Sequence, residues 1–131
     1  APDAMVLVVS NPADTLTYRV VQRTGWPRER VIGQAGVLDA SRMAAFIAEE
    51  TGFSALDITT IVLGGHGDTM VPMPRYCTVN GVPVSHFIAP DRLEAIIERT
   101  RKGGAEILAL RKNSSAYDAP GASVAAMFLR V

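Results

Sequence analysis

Four side chains capable of polar chemistry stand where apolar segments of this chain end: Asn11, Asp39, Arg42 and His66. His66 is one of two histidines and lies in LGGHGDTMVP, residues 63–72, between two glycines. An imidazole titrates near neutral pH, so a histidine delivered into a turn can give or take a proton. Glycines beside it permit unusual backbone angles or the close approach of a ligand. Strand ends, and the helix starts that follow them, are where α/β enzymes place their chemistry. Each position also has a plain structural reading. Asn11 before Pro12 suits a turn. Asp39 suits a helix N-cap. His66 suits a loop, and Arg42 a solvated charge. A cation is disfavoured near a helix N-terminus, and that misfit tilts Arg42 towards function.

The elements that must position these residues follow from pattern. MVLVV (5–9) is a continuous β-rich run, expected as a strand buried on both faces. Residues 14–24 read as a helix with Leu16, Val20 and Val21 on one face and Gly25 past its end. RVIGQAGVLDASRMAAFIAEETG reads as a short strand, a glycine-bearing turn and a helix that Asp39 starts and Gly52 closes. ITTIVLGG (58–65) reads as one further strand. RYCTVNGVPV fits a hairpin around Asn80-Gly81, a pair suited to a type I′ turn. A long helix is expected over residues 91–112, with Leu93, Ile96, Ile97, Ile107 and Leu108 on its buried face. Gly103-Gly104 in its middle points to close packing or a bend, since each costs about 1 kcal/mol relative to alanine. Asp118, before Pro120, is a candidate cap for the last helix.

Composition narrows the function classes. Of the 131 residues, 13 are basic and 13 acidic, so the formal net charge is zero. A nucleic-acid or membrane-surface binder would rest on a basic field, which is missing. The apolar runs are too short to span a bilayer. Cys77 is the single cysteine, so no internal disulfide forms and a reducing cytoplasm suits the chain. One cysteine and two histidines argue against a structural zinc site. The chain starts without methionine and ends in the apolar ASVAAMFLRV, which reads as an internal piece of a longer protein.

The combination is more specific than its parts. NPAD, then GVLDASR with Asp39 28 residues after Asn11, then GGHGD with His66 27 residues later, resembles the lactate/malate dehydrogenase family. VNGVPV, RTRKGGAEI and SAYDAPGAS extend the resemblance over essentially the whole chain. GGHGDTMVP and APGAS resemble the lactate-dehydrogenase-like branch of malate dehydrogenases.

The resemblance implies an α/β fold. Residues 1–25 would end a Rossmann-type dinucleotide-binding domain, and residues 26–131 would form an incomplete α+β catalytic domain. It implies that His66 exchanges a proton with the substrate's C2 oxygen and that Asp39 fixes its tautomer. It implies that Arg42 grips the C1 carboxylate through its planar fork. Asn11 would bind the substrate oxygen beside the nicotinamide of NAD, with Val9, Ser10 and Pro120 lining the cofactor. Ala116 falls where lactate-specific relatives tend to carry threonine. A smaller residue there leaves room for the second carboxylate of malate or oxaloacetate.

No G-x-G-x-x-G is present, so the cofactor's adenine and pyrophosphate must be held by residues outside the chain. NAD against NADP is open for the same reason. The partners implied are a small dicarboxylate and further copies of the chain in a dimer or tetramer. The helices at 14–24 and 91–112 are the candidate contacts. A cytoplasmic location follows from the same resemblance. Lactate dehydrogenase is the alternative in chemistry, and a non-catalytic truncated relative the alternative in class. A phosphate loop at GGHGDT lacks the lysine and spacing of a P-loop.

Overall fold

Val6-Leu7-Val8 (β1) and Val31-Ile32-Gly33 (β2) pair in parallel, Val6 opposite Val31 and Val8 opposite Gly33. Parallel neighbours need a crossover, and the helix Ala13–Thr24 (α1) supplies it. The computed structural model describes residues 3–112 and 116–129, and statements about the fold refer to these. Ala1, Pro2 and the end of the apolar ASVAAMFLRV segment at Arg130 and Val131 lie outside them, as does Ser115 of SAYDAPGAS. Gly25 ends α1 in the left-handed conformation at φ 64°, its N–H donating to Val21 O at 3.0 Å. The unit β1–α1–β2 runs to Gly33, so the boundary expected after residue 25 falls between its two strands.

MVLVV is not a doubly buried strand. Its three strand residues are half-buried, and Met5 and Val9 are 51% and 42% exposed. The reason is that β1 has a single neighbour among the described residues.

Gly36–Thr51 forms α2, whose buried face carries Asp39, Met43 and Ile47 at four-residue spacing. Met43, Ile47, Cys77 and Val84 are fully buried and centre the core, which Ile58, Val62, Met70, Ile96 and Ile97 complete. ITTIVLGG, expected as one strand, is two. Ile58–Thr59 (β3) pairs antiparallel with Thr78–Val79 (β6), and Val62–Gly64 (β4) with Met70–Pro72 (β5). Between β3 and β4 the Thr60 hydroxyl donates to Ala40 O at 2.7 Å, which ties the break to α2. The hairpin forms as expected. β6 turns into Val82–Pro83 (β7) through Asn80 at φ 47° and Gly81 at φ 85°.

The long helix Pro90–Arg111 (α3) packs antiparallel on α2. Its Arg92 binds Glu50 and its Arg99 binds Glu49, while Gly103 lies against Arg42. The Arg99 guanidinium also stacks 4.0 Å over the Phe46 ring. Leu108, expected on the same face as Leu93, Ile96 and Ile97, is 51% exposed. Asp118 does not cap the last helix. Asp118–Phe128 (α4) starts at that residue with Tyr117 before it, and the Asp118 carboxylate pairs with Arg111. Among the described residues no helix is long and apolar enough to cross a membrane.

This core makes a direct prediction. Ile47→Ala should lower unfolding free energy by about 2–5 kcal/mol, through lost burial and the cavity left behind. Leu56→Ala, at a side chain 97% exposed, should change it by about 0.5 kcal/mol or less. Urea midpoints of the two variants check this, and equal losses would contradict the placement of the core.

Candidate active site

β4 and β5 are two short arms joined by a turn, and His66 stands at its tip. The last register pair is Gly64 opposite Met70, so only residues 65–69 are free to reverse the chain. Gly64 and Gly67 take φ 79° and 94°, in the left-handed region that side chains rarely adopt. A Cβ at Gly64 would also come within 2.7 Å of Thr69 O. The glycines around His66 are thus demanded by the tightness of the turn.

The turn brings the imidazole to α2. His66 Nδ1 lies 2.8 Å from Asp39 Oδ2. Asp39 is the fourth residue of α2 and 1% exposed. It is not an N-cap, because Ala35 precedes the helix and the Asp39 N–H already donates to Ala35 O at 3.0 Å. Its carboxylate is therefore free to serve other side chains. Arg42, one turn on, reaches the other oxygen, Nη1 to Oδ1, at 3.4 Å. That bond is long, and the buried Arg42 Nε has no hydrogen-bond partner among the described residues. The arm lies against α3, where a Cβ on Gly103 would meet Arg42 Cδ at 3.2 Å. Gly103 thus marks close packing, as the glycine pair within the helix suggested.

The charges shape the titration of His66. Its pKa is raised, chiefly by the hydrogen bond the ring donates to Asp39 and further by that carboxylate's charge. Partial burial and the Arg42 cation oppose the rise, and Asp14 adds to it. With the folded value above the unfolded one, protonation stabilises the fold fully below the ordinary histidine pKa. That contribution is lost as pH rises through the raised value.

The remaining site candidates lie at two other places. Val9, Ser10 and Asn11 are exposed at the carboxyl end of β1, with Asn11 joined to Pro12 by a cis bond. Ala116 and Pro120 are half-buried at the entry to α4. Among the described residues no hydrogen bond joins either to Asp39, Arg42 or His66. A cavity of about 900 Å³ between α2, the β3–β4 segment and α4 does not include His66. The site is therefore marked by its polar constellation and not by volume.

Two residues escaped the sequence reading. Asp14 accepts the His66 backbone N–H at 3.2 Å, and its only sequence signal is its place in NPAD. Gln34 follows β2, and its backbone N–H donates to Val8 O at 2.8 Å at the carboxyl end of β1. Its side chain is buried, and its Nε2 has no hydrogen-bond partner among the described residues. Nothing in the sequence distinguishes it from any other turn glutamine.

Comparison with known proteins identifies the family of the fold that carries this site. A family model described as the lactate/malate dehydrogenase alpha/beta C-terminal domain matches residues 36–130. A malate dehydrogenase of Thioalkalivibrio sulfidiphilus is 68% identical over 127 residues, which is 97% of this chain and 41% of that relative. The solved malate dehydrogenase from Salinibacter ruber superposes with a TM-score of 0.92 at 49% identity, covering 98% of this chain and 42% of its own. A lactate dehydrogenase from Eimeria maxima, solved with NADH and oxamate, superposes at 0.89 with 35% identity, covering 97% and 41%. The chain thus spans about two fifths of the length of the relatives it matches.

The Asp39 bond predicts a titration. The His66 ring resonance, assigned by its loss in His66→Asn, should titrate above the ordinary value of about 6.5. Asp39→Asn should lower its midpoint. An NMR pH series reads both, and an unshifted midpoint in Asp39→Asn would contradict the bond.

Proposed function

The chain belongs to the lactate/malate dehydrogenase family, and we propose that the enzyme containing it is an NAD-dependent malate dehydrogenase. The observation that carries this reading is one buried carboxylate, Asp39, shared by His66 and Arg42. With His66 Nδ1 held by Asp39, the other ring nitrogen is left to meet the substrate. The imidazolium gives its proton to the C2 oxygen of oxaloacetate, and the neutral ring takes it back from malate. Asp39 sets the tautomer and favours the charged ring. Arg42 holds the C1 carboxylate, and its unpartnered buried Nε is a donor that such an anion satisfies. A bound carboxylate also offsets the Arg42 charge that opposes protonation of His66, so substrate and proton bind together.

Asn11 binds the reacting oxygen from the other side. Val9, Ser10 and Asn11 lie outside the carboxyl end of a parallel strand, where α/β proteins hold nucleotides, and Pro120 is assigned beside them. The buried Gln34 Nε2, unpartnered at the same strand ends, fits a polar group of the nicotinamide. When bound, NAD(H) supplies or accepts the hydride. In this reading the dinucleotide-binding part ends with the β1–α1–β2 unit, later than the boundary expected after residue 25, and the catalytic part follows it. The enzyme is cytoplasmic, and it assembles as a dimer or tetramer through α1 and α3.

Ala116 favours the dicarboxylate in this reading, as the smaller residue that leaves room for a second carboxylate, while residues outside this chain share in the choice. Lactate dehydrogenase is the second reading, since such an enzyme superposes on this chain as well. In the full-length enzyme kcat/KM should favour oxaloacetate over pyruvate, and a preference for pyruvate would shift the assignment. His66→Asn should lower kcat by roughly two to four orders of magnitude. Arg42→Lys keeps the charge and loses the fork, so KM should rise as kcat falls. Near-normal turnover in His66→Asn would make the histidine a structural residue and contradict this mechanism.

A further inference from the structure

His66 is held at its backbone as well as at its ring. Its N–H donates to Asp14 Oδ2 at 3.2 Å, across 52 residues of chain. Asp14 is the second residue of α1, three positions after Asn11. An acid at a helix start needs no function, because the macrodipole favours it. This one does not cap its own helix, which has no side-chain cap. Its carboxylate lies against the turn instead, where a Cβ on Gly65 would approach Oδ2 to 2.6 Å. Thr69 Oγ1 closes the other side of the same position. Around this contact α1, β2 and the turn leave a cleft of about 400 Å³ lined by Asp14, Thr17, Gly33, Gly36 and Gly64. Asp14 therefore bridges a gap that apolar packing does not fill.

We propose that Asp14 is a positioning residue for the proton-transfer step. Its carboxylate fixes the His66 backbone from the α1 side, as Asp39 fixes the ring from the α2 side. Two anchors on two elements set the free ring nitrogen relative to Asn11, which leads into α1. Gly65 is part of the device, since only a residue without Cβ lets the carboxylate come this close. The proposal rests on His66 being the acid–base group.

The test is steady-state kinetics of Asp14→Ala, Asp14→Asn and Gly65→Ala in the full-length enzyme, with His66→Asn measured alongside. Asp14→Ala should lower kcat for oxaloacetate by roughly tenfold to a hundredfold, the scale of a group displaced by about an ångström. NADH Kd should hardly move. Asp14→Asn keeps an oxygen acceptor and should recover most of the loss. Gly65→Ala drives a Cβ into the same carboxylate and against Thr69 Oγ1, so it too should lower kcat. A merely structural role would lower the melting temperature of Asp14→Ala and leave kcat and its pH profile as in the parent. A folded Asp14→Ala with the parent's kcat would overturn the proposal, as would Asp14→Asn losing as much as Asp14→Ala. Should Asp14→Ala fail to fold, Gly65→Ala decides, and unchanged kcat there is the contrary result. Full turnover in His66→Asn would instead overturn the acid–base reading beneath it, and this proposal with it.

Discussion

Everything at this site depends on one buried carboxylate that answers to two cations. Asp39 is 1% exposed, and an ionised carboxylate at that depth is costly unless it is paired and hydrogen-bonded. His66 and Arg42 supply the pairing, at 2.8 Å and 3.4 Å. The two contacts are unequal. The short bond to the imidazole fixes a ring, whereas the long one to the guanidinium leaves a donor to spare. A rigid acid and an incompletely satisfied clamp are what a carboxylate-bearing substrate needs.

The rest of the fold serves to bring three elements to that carboxylate. α2 presents Asp39 and Arg42 one turn apart because its buried face, through Met43 and Ile47, is locked in the core. β4 and β5 deliver His66 on a turn too tight for side chains at its glycines. α3 closes the back of Arg42 with a glycine, and its Arg92 and Arg99 reach across to Glu50 and Glu49. Exposed pairs of this kind contribute little, because water screens them, so the apolar seam between α2 and α3 does most of the holding.

The sequence was most legible where a local rule has few exceptions. Asn80-Gly81 announced its hairpin because both residues tolerate positive φ. Gly25 and Gly52 announced helix ends in the same way. Asp39, Arg42 and His66 stood out as polar residues at the ends of apolar segments, and the structure brings all three together. What was not legible was set by distant partners. Thr59, Thr60 and Ile61 have continuous β-character, and the strand breaks there because the Thr60 hydroxyl reaches Ala40 O. Leu108 fits the face of Ile96 and Ile97 by periodicity, yet it is 51% exposed, because burial depends on what a distant segment places opposite it. Asp14 looks like an ordinary first-turn acid, and only a contact 52 residues away makes it more.

The central claim is that His66, charged by Asp39, carries the proton that enters the substrate. Proton uptake on binding a non-reducible oxaloacetate mimic to the full-length enzyme with NADH tests it most directly. At a pH above the His66 titration, the account predicts uptake of about one proton per site, and none in His66→Asn. Tight binding of the mimic with no proton uptake in the parent enzyme, or undiminished uptake in His66→Asn, would contradict it.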